Sequence, residues 1–182
     1  MVDNTEGAHK ISVVEGIFTE KQRKKILEEC KPLLIDGDIL SLRKAGKTGL
    51  YPGKQSYPTV HLHPDFKWVF AHIVEMIRQT FRAELKVDGA WFNWTNGDAK
   101  YINWHNHWPH DYSAVYYLKT NRFFGSGTLF ADYGYVKAKQ NSLVLFPSHL
   151  VHSAPVQPKF VRYDRYALAM DFILPHKPLT IK

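Results

Sequence analysis

Three histidines stand within six residues in "NWHNHWPH", at positions 105, 107 and 110. Imidazole is the commonest protein ligand for a transition metal, and alternate residues of an extended chain project to one side. Read as a strand, "KYINWHNHW" puts Tyr101, Asn103, His105 and His107 on one face and Ile102, Trp104 and Trp108 on the other. Two imidazoles at i and i+2 can chelate one ion from a single strand. His110 has the opposite parity, follows Pro109 and falls in a loop. A further pair comes with "LVLFPSHLVH", where Pro147 closes a strand and His149 and His152 lie on the turn and its restart. Either can return a third nitrogen to the same ion. In "RYALAMDFIL" alternation sets Arg165, Ala167, Ala169 and Asp171 on one face, with Tyr166, Leu168, Met170 and Phe172 on the other. An arginine followed by small residues describes a cavity with a cationic end, suited to a carboxylate that a guanidinium grips through two parallel hydrogen bonds. A second HxH pair, His61 and His63 in "HLHP", reads as part of a loop.

These residues need elements to hold them. The opening "KISVVEGIFTEKQRKKILEECKPLL" reads as a short strand, a turn and a helix. Thr19 is its N-cap, Glu20 lies in the first turn, and Ile26, Leu27, Cys30 and Leu33 or Leu34 form the apolar face. From Ile35 to Thr59 Gly, Pro and Lys dominate, which implies a loop with at most short strands. Phe66, Val69, Phe70, Ile73, Ile77 and Phe81 recur at three- and four-residue spacing, the stripe of an amphipathic helix running to about Arg82. Beyond Glu84 the period changes to short β-branched and aromatic runs separated by Gly, Asn, Pro and Lys. The expected fold is mainly β with supporting helices, an antiparallel sandwich or open barrel. One domain is expected over 1–182, with helical support and loop over 1–83 and the β core over 84–175.

Composition narrows the function classes. The chain has 182 residues, 45% of them hydrophobic, enough for a sizeable core. Cys30 is the single cysteine, which excludes an intrachain disulfide and a multi-cysteine zinc site. That usage, with no signal-peptide pattern at the start, leads to a cytoplasmic expectation. No apolar stretch reaches membrane-spanning length. The net charge is +7, but the basic residues are scattered through "EKQRKK", "LRKAGK" and "KFVR", which argues against a nucleic-acid partner.

The ordered set "FNWTNGDAKYINWHNHWPHDYSAVYYL", "SGTLFADYG", "NSLVLFPSHLVHSAPV" and "DRYALAMDF" resembles the Fe(II)/2-oxoglutarate-dependent oxygenases, in particular their small prolyl-hydroxylase-like branch of bacteria and phages. The resemblance covers most of the chain but not Ile35 to Thr59, and its sharpest part is "FPS" followed by a histidine. It implies a double-stranded β-helix (jelly-roll or cupin-like) core, with Fe(II), 2-oxoglutarate and O2 as cofactor and co-substrates. The substrate would be a protein side chain such as proline, or a small molecule. By position it implies His105 as first iron ligand and His152 as distal ligand, with His149 as the alternative. Arg165 would anchor the co-substrate, with Arg162 as the alternative, and Tyr117 would donate its hydroxyl to the co-substrate or be plain core. Trp91, Trp94 and Trp104 are candidate walls of the site, or core. Two departures stand out. The family pattern is HxD or HxE, and here His107 occupies the second position, with Asp111 the alternative carboxylate ligand. Ala167 stands where many relatives carry Ser or Thr. A metal-binding cupin-like module without redox chemistry is the competing class, and a nucleic-acid dealkylase a third.

Overall fold

The strand that begins at Arg165 is the middle strand of a seven-stranded sheet. A computed structural model of the chain describes residues 11–36, 53–96, 104–121, 123, 127–155, 160 and 163–175. In chain order the elements are β1 (Ser12–Glu15), α1 (Glu20–Cys30), β2 (Ile35–Asp36), β3 (Lys54–Gln55), α2 (Lys67–Phe81), β4 (Lys86–Thr95), β5 (Tyr112–Lys119), β6 (Gly127–Phe130), β7 (Gly134–Lys137), β8 (Ser142–Pro147), β9 (His152–Ser153) and β10 (Arg165–Ile173). They form an antiparallel seven-stranded sheet, β1-β8-β5-β10-β4-β3-β2, and a three-stranded sheet, β7-β6-β9. This is the expected mainly-β fold, with two α-helices among the described residues, a jelly roll whose larger sheet packs helices on its outer face.

The outer face is the apolar set of each strand. Leu143 and Leu145 of β8, Ala114, Tyr116 and Leu118 of β5, and Leu168, Met170 and Phe172 of β10 meet Ile26 and Cys30 of α1 and Val69, Ile73 and Ile77 of α2. The intervening residues turn the other way. Val144 and Phe146 of β8 and Tyr117 of β5 join Phe130 of β6, Ala138 and Leu150 in a second, smaller core under the three-stranded sheet. Strand β8 is buried at all six positions because it has a layer on each side.

Helix α1 starts where the sequence places it. Thr19 Oγ1 accepts from the Gln22 N–H at 3.3 Å and Gln22 Oε1 accepts from the Thr19 N–H at 2.9 Å, a capping box. Helix α2 ends at Arg82, whose φ of 54° takes it out of the helical region. The short strand read at the start of the chain and the short strands allowed between Ile35 and Thr59 are β1, β2 and β3, and all three join the larger sheet. The structure differs from the sequence reading in one place. "NWHNHW" is not a strand over its described residues: from Trp104 to Trp108 the backbone makes one isolated bridge, His105 to His152. Tyr101, Ile102, Asn103 and Arg162 lie outside the described residues.

Candidate metal centre

Backbone bonds to another segment, rather than strand parity, bring the two loop histidines together. The His105 N–H donates to His152 O at 3.0 Å, the His152 N–H donates to His105 O at 2.8 Å, and the His107 N–H donates to Ser148 O at 2.9 Å. The loop is thus clipped along Ser148–His152, and three imidazoles converge. Their ring centroids are 4.5 Å apart for His105 and His152, 5.0 Å for His105 and His107, and 5.2 Å for His107 and His152. One nitrogen of each lies within 4.8 Å of the others. A cis peptide bond joins Trp108 to Pro109 where the loop turns back toward β5.

One of the three rings has its free nitrogen defined. His152 Nδ1 lies 2.9 Å from Leu150 O; a carbonyl only accepts, so Nδ1 carries the proton and Nε2 keeps the lone pair. Burial, and then the neighbouring His105 imidazole, hold the His152 pKa down at about 3, so this ring stays neutral near pH 7. His107 Nδ1 faces Asp171 Oδ2 at 3.1 Å, an ion-pair contact. The set suits a transition metal: three imidazoles, one fixed in its tautomer by a hydrogen bond and another facing a buried carboxylate.

The other sequence candidates divide. His149 is exposed on the turn and outside the cluster, whereas His152 is buried. Asp111 is committed elsewhere, its Oδ2 accepting from the Leu174 N–H at 2.9 Å, and it is not among the converging groups. His110 lies in the loop, as its parity implied, and acts as a strut. Its N–H and Nδ1 both face His107 O, at 3.0 and 2.8 Å, and its Nε2 lies 3.1 Å from Asp88 Oδ2. His63 caps the turn before α2 by accepting from the Asp65 N–H, a loop role.

The imidazoles line a cavity of about 620 Å3 that also reaches Arg165, Ala167, Ala169 and Asp171, the face that alternation picked out. Arg165 is 5% exposed. Its Nε has no hydrogen-bond partner, and among the described residues no carboxylate pairs with it. Its guanidinium carbon lies 5.4 Å from the centroid of the Tyr117 ring. A buried guanidinium is costly without an anion. Tyr117 is fully buried and its hydroxyl pairs with that of Thr128, and it is Thr128 that lines the cavity. Trp91 forms part of the wall, its ring 5.4 Å from that of His107. Trp94 packs instead on the helix-side core, and Trp104 is exposed.

Sequence reasoning missed Asp88, Thr128, Ser148 and the role of Asp171. The β4–β10 register slips at Asp171/Phe172, pairing Phe172 with Val87 and leaving Asp88 as the extra residue of a bulge. Bulges re-aim side chains beside sites, but no local pattern announces this one. Ser148 is the serine of "FPS", visible as a motif though its partners were not.

No family model matches the chain, and no curated protein matches it. Solved structures do. HygX from Streptomyces hygroscopicus, with nickel and 2-oxoglutarate bound, is 11% identical with a TM-score of 0.66, over 93% of this chain and 84% of that one. An oxidoreductase of the 2OG-Fe(II) oxygenase family from Burkholderia pseudomallei is 14% identical with a TM-score of 0.64, over 92% and 86%. A prolyl hydroxylase from Trichoplax adhaerens, in complex with a hypoxia-inducible-factor peptide fragment, is 14% identical with a TM-score of 0.65, over 90% and 83%. The chain shares the fold of these Fe(II)/2-oxoglutarate oxygenases.

Proposed function

We propose that this chain is an Fe(II)- and 2-oxoglutarate-dependent oxygenase that hydroxylates a protein side chain, such as proline, or a small molecule. The supporting observation is a single cavity holding both three convergent imidazoles and a buried guanidinium that no carboxylate among the described residues pairs with. His105, His107 and His152 would hold the metal, and Arg165 the far carboxylate of 2-oxoglutarate. Bound iron, with 2-oxoglutarate and O2, supplies the oxidising power that no side chain has. The chain's residues bind, orient and exclude water. Val115, Phe146, Ala167 and Ala169 present apolar surface between the two polar ends, and Thr128 offers a hydroxyl in a wall where Ala167 has none.

The competing reading, a metal-binding barrel without redox chemistry, draws on the all-imidazole donor set, which suits zinc or nickel as well as iron. Arg165 separates the two, because holding a metal alone needs no buried cation beside it. The test is anaerobic titration with Fe(II) and 2-oxoglutarate, following the visible charge-transfer band of the chelated complex. The band is expected in the wild type. Arg165→Ala should weaken 2-oxoglutarate binding about 10- to 100-fold, the range of a lost hydrogen bond to a charged group. Metal binding with no band and no effect of Arg165→Ala would favour the plain barrel.

A further inference from the structure

We propose that Asp171 is the positioning residue of the metal centre: it holds the His107 ring so that Nε2 faces the cavity, and it returns behind that ligand the negative charge that an all-imidazole set lacks. The inference rests on reading His107 as a ligand. Asp171 is 4% exposed, and both its oxygens are engaged. Oδ2 faces His107 Nδ1 at 3.1 Å, and Oδ1 accepts from Ser113 Oγ at 2.7 Å. The Ser113 proton is committed to that carboxylate, so at the 3.0 Å contact with Ser148 Oγ it is Ser148 that donates. A directed chain results, Ser148 to Ser113 to Asp171, and His107 Nδ1 faces the same carboxylate at 3.1 Å.

Every link comes from a different element. Asp171 lies on β10 opposite Ser113 of β5, and Ser113 lies opposite Phe146 of β8, two residues before Ser148. Ser148 also accepts from the His107 backbone N–H at 2.9 Å, so one residue steadies both the backbone and, through the chain, the ring of His107. Ser113 and Ser148 are themselves buried. A fully satisfied buried network of this kind is rigid, and a carboxylate behind a ligating imidazole fixes its tautomer and raises its basicity. Asp171 does not reach the metal position itself; it acts through His107.

Two readouts test this on the whole chain. In metal-free protein, long-range proton–nitrogen correlation spectra report which ring nitrogen of each histidine carries hydrogen. His107 is expected as the Nδ1–H form in the wild type and in Asp171→Asn, which keeps an acceptor oxygen, and to lose that preference in Asp171→Ala. Titration with Co(II), read in the visible spectrum, gives the affinity. Asp171→Ala should weaken it about 10- to 100-fold, and Asp171→Asn, with the acceptor kept and the charge lost, by less. Should Asp171→Ala fail to fold, Ser113→Ala carries the test, with a smaller loss in the same direction. A wild-type His107 in the Nε2–H form, or Co(II) affinities of the Asp171 and Ser113 variants within twofold of wild type, would overturn the proposal. His105→Ala and His152→Ala serve as the separate control. If both bind Co(II) as the wild type does, the metal reading fails, while the tautomer spectra still decide whether Asp171 orients His107.

Discussion

On the proposed reading, His107 and Asp171 would divide between two side chains what a facial triad concentrates in one carboxylate ligand. The pair would keep a negative charge beside a site whose three ligands are all imidazoles. At the other end the same economy of contacts applies to Tyr117, whose buried hydroxyl pairs with that of Thr128. Thr128→Val keeps the shape and removes that partner. It should cost about 1–3 kcal/mol, the penalty for stranding a buried hydroxyl, measured by urea unfolding against the wild type. The effect on 2-oxoglutarate binding is expected to be smaller than that of Arg165→Ala, because Thr128 carries no charge.

Among the elements, the turn before β8 is held by one residue. Asn141 sits at φ 64°, and its carbonyl accepts from the Gly16 and Ile17 N–H groups. Its side chain accepts from the Phe18 N–H and the Tyr116 hydroxyl and donates to Phe18 O. It therefore ties the start of α1 to β5 and β8. Asn141→Ala loses three side-chain hydrogen bonds and puts a Cβ residue with no local compensation in the left-handed region. The expected loss is about 2–4 kcal/mol. Asn141→Gly removes the same bonds without the backbone penalty, so it should be the milder of the two in denaturant unfolding. Thr19→Ala, which breaks the α1 capping box, should cost about 1 kcal/mol. That residue was legible in the sequence because a cap is a local pattern. Asn141 was not, since its partners lie as far as 123 residues away.

For the whole molecule, the helix-side core is the main source of stability, and Cys30 reports on it. Ile73 is fully buried there, and Ile73→Ala should lower unfolding stability by about 2–5 kcal/mol. The Cys30 thiol is fully buried and pushed up to about 12 by that burial, from an ordinary 9.0. Native protein should therefore resist a thiol reagent at neutral pH and react on unfolding. The same shift has a signed consequence. Below pH 9 both folded and unfolded thiols are protonated; from about 9 to 12 the unfolded thiol ionises while the native one does not. Stability should fall across that window, and Cys30→Val should remove this part of the fall. Much of this organisation was legible in sequence. The two helices, the strand-rich second half, the Arg165–Ala167–Ala169–Asp171 face and the candidate ligands His105, His107 and His152 all rest on local periodicity or short motifs, which a chain displays in one dimension. Tertiary structure alone decided how they meet. It clipped a loop that is not a strand onto Ser148–His152, turned Asp111 away to Leu174, bulged Asp88 into the cavity wall and set Asp171 behind His107. Each of these depends on strand register and on hydrogen bonds between distant segments, and a one-residue change of register moves every side chain to the opposite face; periodicity names the faces, but only the assembled sheets decide which residues confront each other across them.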